Sequence, residues 1–414
     1  MEYNIYFYAI LIIVIGLFVL DFVANWLNVS AAASQLPQEF HGVFDEAEYR
    51  KSQEYTRVTT WFGQFQDLVG LIVFLAFWLL GGFGWLDSLV RSWNLPNEVI
   101  NGVVFMGLLW VGQMVISLPF DLYDTFVIEE KFGFNKTNLT TFFGDFAKSI
   151  LLAILLGGPI LALLIWLFET FENAWLYGWL SVTAFSLLMM YLAPRLIMPL
   201  FNKFTPLEDG ELKTEIENLA TQCQFPLAEV SVIDGSRRSS KANAFFTGFG
   251  KNKRIALYDT LINSQSVPEL LGVLAHEIGH FKKKHIIQQI VLSVTQMAII
   301  FFLLKQFMKN EALTSAFGVT SPSVYCSFVF FTILFKPISR ILSLGMTAWS
   351  RKNEFEADAY AVQVTSTADH LISALKKLSK ENLSNLTPHP FYVKMYYTHP
   401  PVLERIEAMR KIAT

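Results

Sequence analysis

The sequence predicts an α-helical polytopic membrane protein with seven transmembrane helices and a small α+β domain. Of its 414 residues, 53% are hydrophobic and only 16% are charged, which lies outside the usual range of soluble proteins. Seven windows are long and apolar enough to cross a bilayer. These windows are Ile5–Trp26, Val69–Leu89 (or from Trp61), Val99–Leu118, Ile150–Phe168, Trp175–Leu192, Ile286–Leu304 and Tyr325–Met346. The longest polar stretch, Phe201–Gln265, separates the fifth window from the sixth and supplies the α+β domain.

The distribution of Lys and Arg among the loops predicts the orientation of the chain. No basic residue precedes the first window and its apolar core is long, so a transmembrane helix is expected there rather than a cleaved signal peptide. With the N-terminus outside, most basic residues fall in inner loops, as the positive-inside rule requires. The inner loops hold Arg50, Lys51, Arg57, Lys131, Lys136 and Lys148, and the outer loops hold little beyond Arg91, Lys305 and Lys309. The polar stretch and the C-terminus are therefore expected in the cytosol.

The polar stretch combines helix and strand patterns. Glu211–Cys223 is amphipathic at a helical period, and Glu229–Ile233 alternates as a short strand. Ala244–Phe249 and Arg254–Tyr258, joined by a turn over Gly250–Lys253, are typical of a β-hairpin. A free strand edge in such a hairpin can bind an extended peptide.

The motif His276-Glu-Ile-Gly-His280 has the spacing of a zinc-hydrolase site. It follows a capping box, Ser266-Val-Pro-Glu269, so it is expected on a helix. Positions i and i+4 share one helix face, which lets both imidazoles bind a single metal ion. Glu277 can then act as the general base towards a water molecule activated by the metal. The alternative is a pair of surface histidines, and a third ligand separates the two interpretations.

The same helix is expected to continue into the sixth window. Ile286 would then lie about 9 Å along the axis from His280, which places the metal at the membrane surface. The lysines in Lys282-Lys-Lys284 suit a helix that crosses a headgroup layer.

Two sources of a third ligand are excluded by position. The metzincin class would need a glycine and a histidine where this chain has Lys283 and Ile286. His285 would lie about 13 Å along a continuous helix from His276, which is too far to share the ion.

The better third ligand lies in Asn353-Glu-Phe-Glu-Ala-Asp358. Glu354 would complete a gluzincin-type His₂Glu set that leaves a fourth position open for water. Asp358, one turn later, could hold a ligand histidine by its other ring nitrogen. Glu356 points elsewhere on the helix and is expected to be a solvated residue. Taken alone, the motif fits an acidic solvated helix face equally well.

Three further polar residues are candidates for contacting the substrate. Asn243, at the start of the first hairpin strand, could hydrogen-bond a substrate backbone or serve only as a strand-entry residue. His399, in Thr398-His-Pro-Pro401, could fold back on the metal and stabilise an oxyanion. Arg405 could bind a carboxylate or brace the site. Taken singly, His399 and Arg405 are more often structural.

Polar residues also occur inside or at the ends of the apolar windows. Each would be costly against lipid and is expected to face protein or water. Interhelical hydrogen bonds and interfacial anchoring account for most of them, and a hydrated cavity accounts for the rest. The residues are Asp21, Gln64, Gln66, Asp67, Gln113, Gln288, Gln289, Gln296, Lys336 and Arg340.

Together these residues resemble the type I CAAX prenyl proteases, the intramembrane zinc metalloendopeptidases of eukaryotic ER membranes and of many bacteria. The resemblance covers nearly the whole chain. It rests on His276-Glu-Ile-Gly-His280, Glu354-Phe-Glu-Ala-Asp358, Asn243-Ala-Phe, His399-Pro-Pro with Arg405, and Phe126-Val-Ile-Glu-Glu-Lys-Phe-Gly-Phe-Asn135. It implies seven helices enclosing a water-filled chamber, with the zinc protease domain on the cytosolic side. It also implies removal of the last three residues from a prenylated Cys-a-a-X terminus.

The resemblance also implies roles for individual residues. One zinc ion per chain would be bound by His276, His280 and Glu354, with Glu277 as the general base. Substrate or oxyanion would be held by Asn243 and His399, supported by Arg405 and Asp358. The loops are shorter than expected of eukaryotic members, which favours a bacterial source and an inner-membrane location.

The expected organisation has four parts. Residues 1–200 form the first five transmembrane helices, and residues 201–285 form a cytosolic segment with the hairpin and the metal-binding helix. Residues 286–346 form the last two transmembrane helices, and residues 347–414 form a helical segment that completes the site.

Three functions are compatible with these observations. The first is a zinc endopeptidase acting near the C-termini of membrane-associated or lipidated peptides. The second is a quality-control protease that degrades misfolded membrane proteins with the same chemistry. The third is a receptor or transporter with incidental zinc, which would not depend on Glu277. The net charge of −3 gives no reason to expect a nucleic-acid partner, and the sequence leaves the oligomeric state open.

Overall fold

The computed structural model describes residues 1–33, 35–247 and 253–413. Within them, seven helices are long and apolar enough to cross a membrane, which confirms the predicted number. We name them span one to span seven in chain order. They are Ile5–Ser30, Glu46–Leu79, Glu98–Phe132, Leu139–Thr170, Ala174–Phe201, His285–Gln306 and Val324–Thr365.

The spans are packed loosely against one another. In the most apolar window of each span, at most 22% of the residues are buried. A closed bundle would bury one face of each helix, whereas helices that line an open space expose both their inner and their outer faces. The low burial is the pattern of a chamber wall and agrees with the predicted fold class.

Span two differs from the predicted window at both ends. It begins at Glu46 with a capping box and ends at Leu79. The chain turns at Gly81, whose φ of +81° favours a residue without a side chain. The predicted helix Val69–Leu89 is therefore wrong beyond Leu79, and a separate helix, Gly82–Ser92, follows the turn.

Span seven is long enough to leave the membrane. Its 42 residues would extend about 63 Å at 1.5 Å per residue, roughly twice the thickness of the hydrocarbon core. The C-terminal half, which carries Glu354 and Asp358, can therefore project from the bilayer. Between the helix that carries His276 and His280 and this half of span seven, the chain crosses the membrane twice, in spans six and seven. The two segments therefore lie on the same side of the membrane.

The remaining elements form the α+β domain and its connections. The described sheet contains β1 (Phe204–Pro206), β2 (Leu227–Ile233), β3 (Ala244–Thr247) and β4 (Lys253–Tyr258), in the order β1-β2-β4-β3. The α-helices outside the spans are Gly82–Ser92, Glu211–Gln222, Asp259–Ser264, Val267–Lys282, Glu311–Ala316, Asp369–Glu381, Pro390–Tyr396 and Val402–Ala413.

The predicted hairpin strands pair as expected. β3 and β4 are antiparallel, with Ala244 opposite Leu257, and β3 forms an edge of the described sheet. Residues 248–252, which include the end of the predicted strand Ala244–Phe249 and most of the predicted turn, lie outside the described residues.

The helix Val267–Lys282, which we call the metal-binding helix, packs closely against span seven. A Cβ at Gly279 would lie 3.0 Å from Cα and from the carbonyl oxygen of Ala357, which is tighter than ordinary van der Waals contact, so glycine favours this close approach. On the same helix, Leu274 and Ile278 are at most 1% exposed in the core of the α+β domain. Burial of each stabilises the fold by about 1.5–3 kcal/mol. This packing brings the histidine motif next to the acidic motif of span seven.

The metal-binding helix does not continue into span six, so that prediction is wrong. The helix ends at Lys282, and Lys284 adopts a left-handed conformation with φ of +60°. Such a conformation costs a residue other than glycine about 1–3 kcal/mol. Span six then begins at His285, whose ring centroid lies 5.1 Å from that of His280.

Two of the polar residues inside the spans form an ion pair. Arg340 Nη2 lies 2.7 Å and 2.9 Å from the two carboxylate oxygens of Asp21, and the Tyr396 hydroxyl also donates to Asp21. Pairing accounts for these two residues without a cavity. Hydration of the other polar positions stays a prediction.

Candidate active site

Three metal-ligating side chains meet between the metal-binding helix and span seven. The Nε2 atoms of His276 and His280 are 3.2 Å apart. The Oε1 atom of Glu354 lies 3.2 Å from Nε2 of His280, and the Oε2 atom of Glu354 lies 3.4 Å from Nε2 of His276. Ligands about 2.0–2.1 Å from a tetrahedral zinc ion are about 3.3 Å from one another. The three side chains therefore fit a metal ion held on three sides with the fourth open.

The environment of Glu354 supports the same interpretation. Its side chain is 5% exposed, and its Oε2 atom is buried with no hydrogen bond of normal geometry among the described residues, since His276 Nε2 is 3.4 Å away. Arg405 Nη1, at 3.5 Å, is too distant for a normal charge-assisted hydrogen bond. An unsatisfied buried carboxylate oxygen is costly. A cation between the two histidines would satisfy it.

A buried carboxylate and a guanidinium support His276 on the Nδ1 side of its ring. Asp358 Oδ1 lies 2.8 Å from His276 Nδ1, and Arg405 donates to both oxygens of Asp358 at 2.8 Å and 2.6 Å. Burial lowers the pKa of His276, but the adjacent carboxylates of Asp358 and Glu354 outweigh it and raise this pKa to about 9. In the metal-free protein this imidazole holds a proton that an incoming metal ion has to displace.

His280 is supported by two residues that the sequence had appeared to exclude. His285 Nδ1 lies 3.0 Å from His280 Nδ1, and His285 Nε2 lies 3.1 Å from Glu356 Oε2. His285 is not a metal ligand, as expected, but the assumption of a continuous helix hid its contact with one. Glu356 is paired rather than merely solvated, so that expectation is wrong. The run of lysines before His285 was the available signal, because basic residues mark the last turn of a helix.

Two cavities meet at the metal-ligating side chains. One has a volume of about 580 Å³ and the other about 450 Å³. Both are lined by Glu277, Glu354, Thr398 and His399, and by Ala244 at the start of edge strand β3. A chain lying along β3 would therefore have room on both sides of the three ligands.

The remaining candidates lie around this junction. His399 Nε2 is 3.3 Å from Glu354 Oε1, and its side chain is 64% exposed. Asn243 is exposed beside the larger cavity, and its Oδ1 accepts the Ala244 N–H at 2.8 Å. Arg405 is only 7% exposed and is engaged with Asp358, which favours bracing over substrate binding. The structure thus brings every candidate residue of the sequence to one site, and their roles stay predictions.

Family models match both halves of the chain. Residues 25–203 match the model described as CAAX prenyl protease N-terminal, five membrane helices. Residues 206–413 match the model of peptidase family M48.

Individual relatives match over most of their own length. The CAAX prenyl protease 1 of Saccharomyces cerevisiae is 36% identical, with 91% of this chain and 88% of that protein covered. The CAAX prenyl protease 1 homologue of Homo sapiens is 32% identical, with 92% and 90% covered. The crystal structure of S. mikatae Ste24p superposes with a TM-score of 0.91 at 34% identity, and covers 99% of this chain and 100% of that one.

Proposed function

Because this chain belongs to the CAAX prenyl protease 1 family of M48 peptidases, we propose that it is a zinc-dependent membrane endopeptidase acting near the C-terminus of CAAX-type substrates. The observation that carries the proposal is the triangle of His276, His280 and Glu354 at the junction of two cavities. Relatives are named for CAAX prenyl substrates, which favours lipidated peptides among the substrates of this chain.

In the proposed mechanism each residue of the site has one task. The zinc ion would be held by His276, His280 and Glu354, and when bound it activates water and polarises the scissile carbonyl. Glu277 takes the proton of the attacking water and passes it to the leaving amine. His399 donates a hydrogen bond to the carbonyl oxygen as negative charge develops there.

The substrate backbone is proposed to lie along the edge strand β3. An extended peptide can add to such an edge by main-chain hydrogen bonds. Asn243 precedes β3 and already has its Oδ1 fixed by the Ala244 N–H, so its amide nitrogen is the group that donates to a substrate carbonyl. Arg405 and Asp358 hold His276 in place and stay out of contact with the peptide.

The same proposal covers location and organisation. The excess of basic residues in the inner loops supports a cytosolic catalytic domain and C-terminus. The four parts 1–200, 201–285, 286–346 and 347–414 are kept as the proposed organisation. The relatives reported above are eukaryotic, and a bacterial inner-membrane source stays a prediction that rests on loop length alone.

A quality-control protease that degrades misfolded membrane proteins is the second candidate. The low burial of the spans favours it specifically, because helices that line an open space could admit an unfolded segment. The receptor or transporter considered from sequence has no support, since both family models describe peptidases.

One experiment separates the two protease functions. The purified protein is incubated with a farnesylated peptide ending in a CAAX sequence, with the same peptide lacking the lipid, and with an unfolded membrane protein. Mass spectrometry should show release of the last three residues from the farnesylated peptide. Cleavage of the unfolded protein at many sites, with the peptides intact, would instead establish the quality-control function. A chelator should abolish either activity and added zinc should restore it.

A further inference from the structure

The proposed mechanism leaves unused a buried histidine that contacts one of the metal-ligating side chains. His285 is 3% exposed and lies between His280 and Glu356. Its two ring nitrogens make one contact each, at 3.0 Å to His280 Nδ1 and 3.1 Å to Glu356 Oε2. A buried imidazole with both nitrogens directed at specific partners has a defined protonation pattern, which can be worked out from the contacts.

The contacts allow one consistent assignment of protons. His280 presents Nε2 to the other two ligands, so a neutral His280 bound through Nε2 carries its proton on Nδ1. His285 Nδ1 must then accept that proton in a hydrogen bond. His285 in turn carries its own proton on Nε2 and donates it to the Glu356 carboxylate.

The backbone is shaped to make this contact. On a continuous helix, a residue five positions after His280 would point about 140° away from it. The left-handed Lys284 interrupts the helix instead and returns His285 to the ring of His280, with centroids 5.1 Å apart. Strained backbone of this kind persists where surrounding structure requires it, and it clusters at functional sites.

We propose that His285, held by Glu356, is a positioning residue that fixes the tautomer and ring orientation of His280 for metal binding. It does for His280 what Asp358, held by Arg405, does for His276. The two ligand histidines thus have different supports, an imidazole–carboxylate pair and a carboxylate–guanidinium pair. This inference rests on the proposed metal site, but it concerns metal affinity and requires no particular substrate.

The test measures zinc affinity of the whole protein by competition with a chromogenic chelator, in the absence of any peptide. His285→Phe keeps a ring of similar size and removes both nitrogens, and should weaken zinc binding about 10–100-fold. His285→Asn places an amide oxygen where Nδ1 stood and should recover part of the loss. Glu356→Met, which removes only the outer acceptor, should have a smaller effect in the same direction.

A matched control lies in the same turn. Lys283→Ala removes an exposed charge two residues from His285 and should leave the zinc affinity unchanged. Cobalt substituted for zinc gives a second readout, because its visible spectrum reports ligand geometry. That spectrum should shift in His285→Phe and should return towards the parent in His285→Asn.

Two results would overturn the inference. Zinc affinity and cobalt spectrum equal to those of the parent in His285→Phe would show that His285 does not position the ligand. If that variant fails to fold, Glu356→Met decides, since the Glu356 side chain is 39% exposed and its removal should leave the fold intact. Unchanged zinc affinity there would also reject the proposal. Failure of every test peptide to be cleaved would bear on the proposed function and leave these measurements unaffected.

Discussion

The two sides of the metal site are built in different ways. On the inner side, His276, Glu354, Asp358 and Arg405 have side chains at most 8% exposed, and Asp358 forms short charged contacts with both His276 and Arg405. On the outer side, His399 is 64% exposed and Asn243 lies at an open strand edge. The comparison indicates that the ligands are held by a fixed, dehydrated network, whereas the groups proposed to contact substrate remain accessible.

This difference has an energetic consequence. Buried charges are tolerated only when they are paired, and removal of one partner leaves the other unpaired in a medium of low polarity. Removal of an exposed side chain leaves no unpaired buried charge, because water replaces its contacts. Substitutions on the inner side should therefore alter stability and metal content, and those on the outer side should alter catalysis alone.

The largest effect is expected at Arg405. Arg405→Met leaves the Asp358 carboxylate buried without its cation and should reduce the free energy of unfolding by about 3–5 kcal/mol, with loss of bound zinc. Thermal unfolding in detergent and zinc analysis measure both. Arg410→Met is the matched control on the same helix, since Arg410 is 56% exposed and pairs with Glu39 at 2.6 Å. It should cost about 0–1 kcal/mol. Equal effects of the two substitutions would contradict the comparison.

On the outer side, His399→Ala should act on turnover. Loss of one donor to a developing oxyanion lowers kcat about 10²–10³-fold. Zinc content and the unfolding temperature should equal those of the parent, because the side chain is exposed. Steady-state kinetics and metal analysis on the same preparation check this. A variant that loses zinc instead would place His399 with the inner network.

A smaller effect is expected at the N-terminus of the metal-binding helix. Glu269 accepts hydrogen bonds from Lys377, Ser373 and the Ser266 N–H at 2.7, 2.6 and 2.7 Å. Burial raises its pKa, but these hydrogen bonds outweigh it and lower the pKa from 4.5 to about 2. Glu269→Gln should therefore cost about 1–3 kcal/mol at neutral pH.

The pH dependence of that loss has a definite sign. The folded-state pKa lies below the unfolded one, so the stabilisation is present above about pH 4.5 and disappears as the pH falls towards 2. The difference in unfolding temperature between parent and Glu269→Gln should shrink over that range. A difference that persists unchanged at pH 2.5 would mean that the carboxylate charge is not its cause.

The smallest effect is expected at Asn243. Asn243→Ala removes one neutral hydrogen bond to the substrate backbone, worth about 0.5–1.5 kcal/mol. KM should rise about three- to tenfold, with kcat, zinc content and stability unchanged. Kinetics with a peptide substrate measure this, and an unchanged KM would reduce Asn243 to a strand-entry residue.

Most of the site was predictable because its signals are local in the sequence. The motif His276-Glu-Ile-Gly-His280 carries its own helical spacing, and its capping box marks where the helix begins. The acidic motif around Glu354 was identified because a catalytic zinc site with two histidines requires a third protein ligand. The seven spans follow from apolar length alone, which is why their number was right and the end of span two was wrong.

The parts that escaped prediction depend on contacts between distant segments. The run of lysines could have marked the end of the helix, but no residue preference marks Lys284 for a left-handed conformation, so the return of His285 to His280 could not be read from residue types. Glu356 gains its partner only because the metal-binding helix packs on span seven at Gly279. The choice between bracing and substrate binding for Arg405 likewise needed the position of Asp358 in space.

The most direct test of the account compares the parent protein with Glu277→Gln. Bound zinc and hydrolysis of a farnesylated CAAX peptide are measured on the same preparations. Glu277 lines both cavities beside the ligands without being one of them, so both proteins should hold equal zinc while hydrolysis falls about 10²–10⁴-fold in the variant. Equal hydrolysis by the two proteins, or the absence of zinc from both, would contradict the proposed metalloprotease.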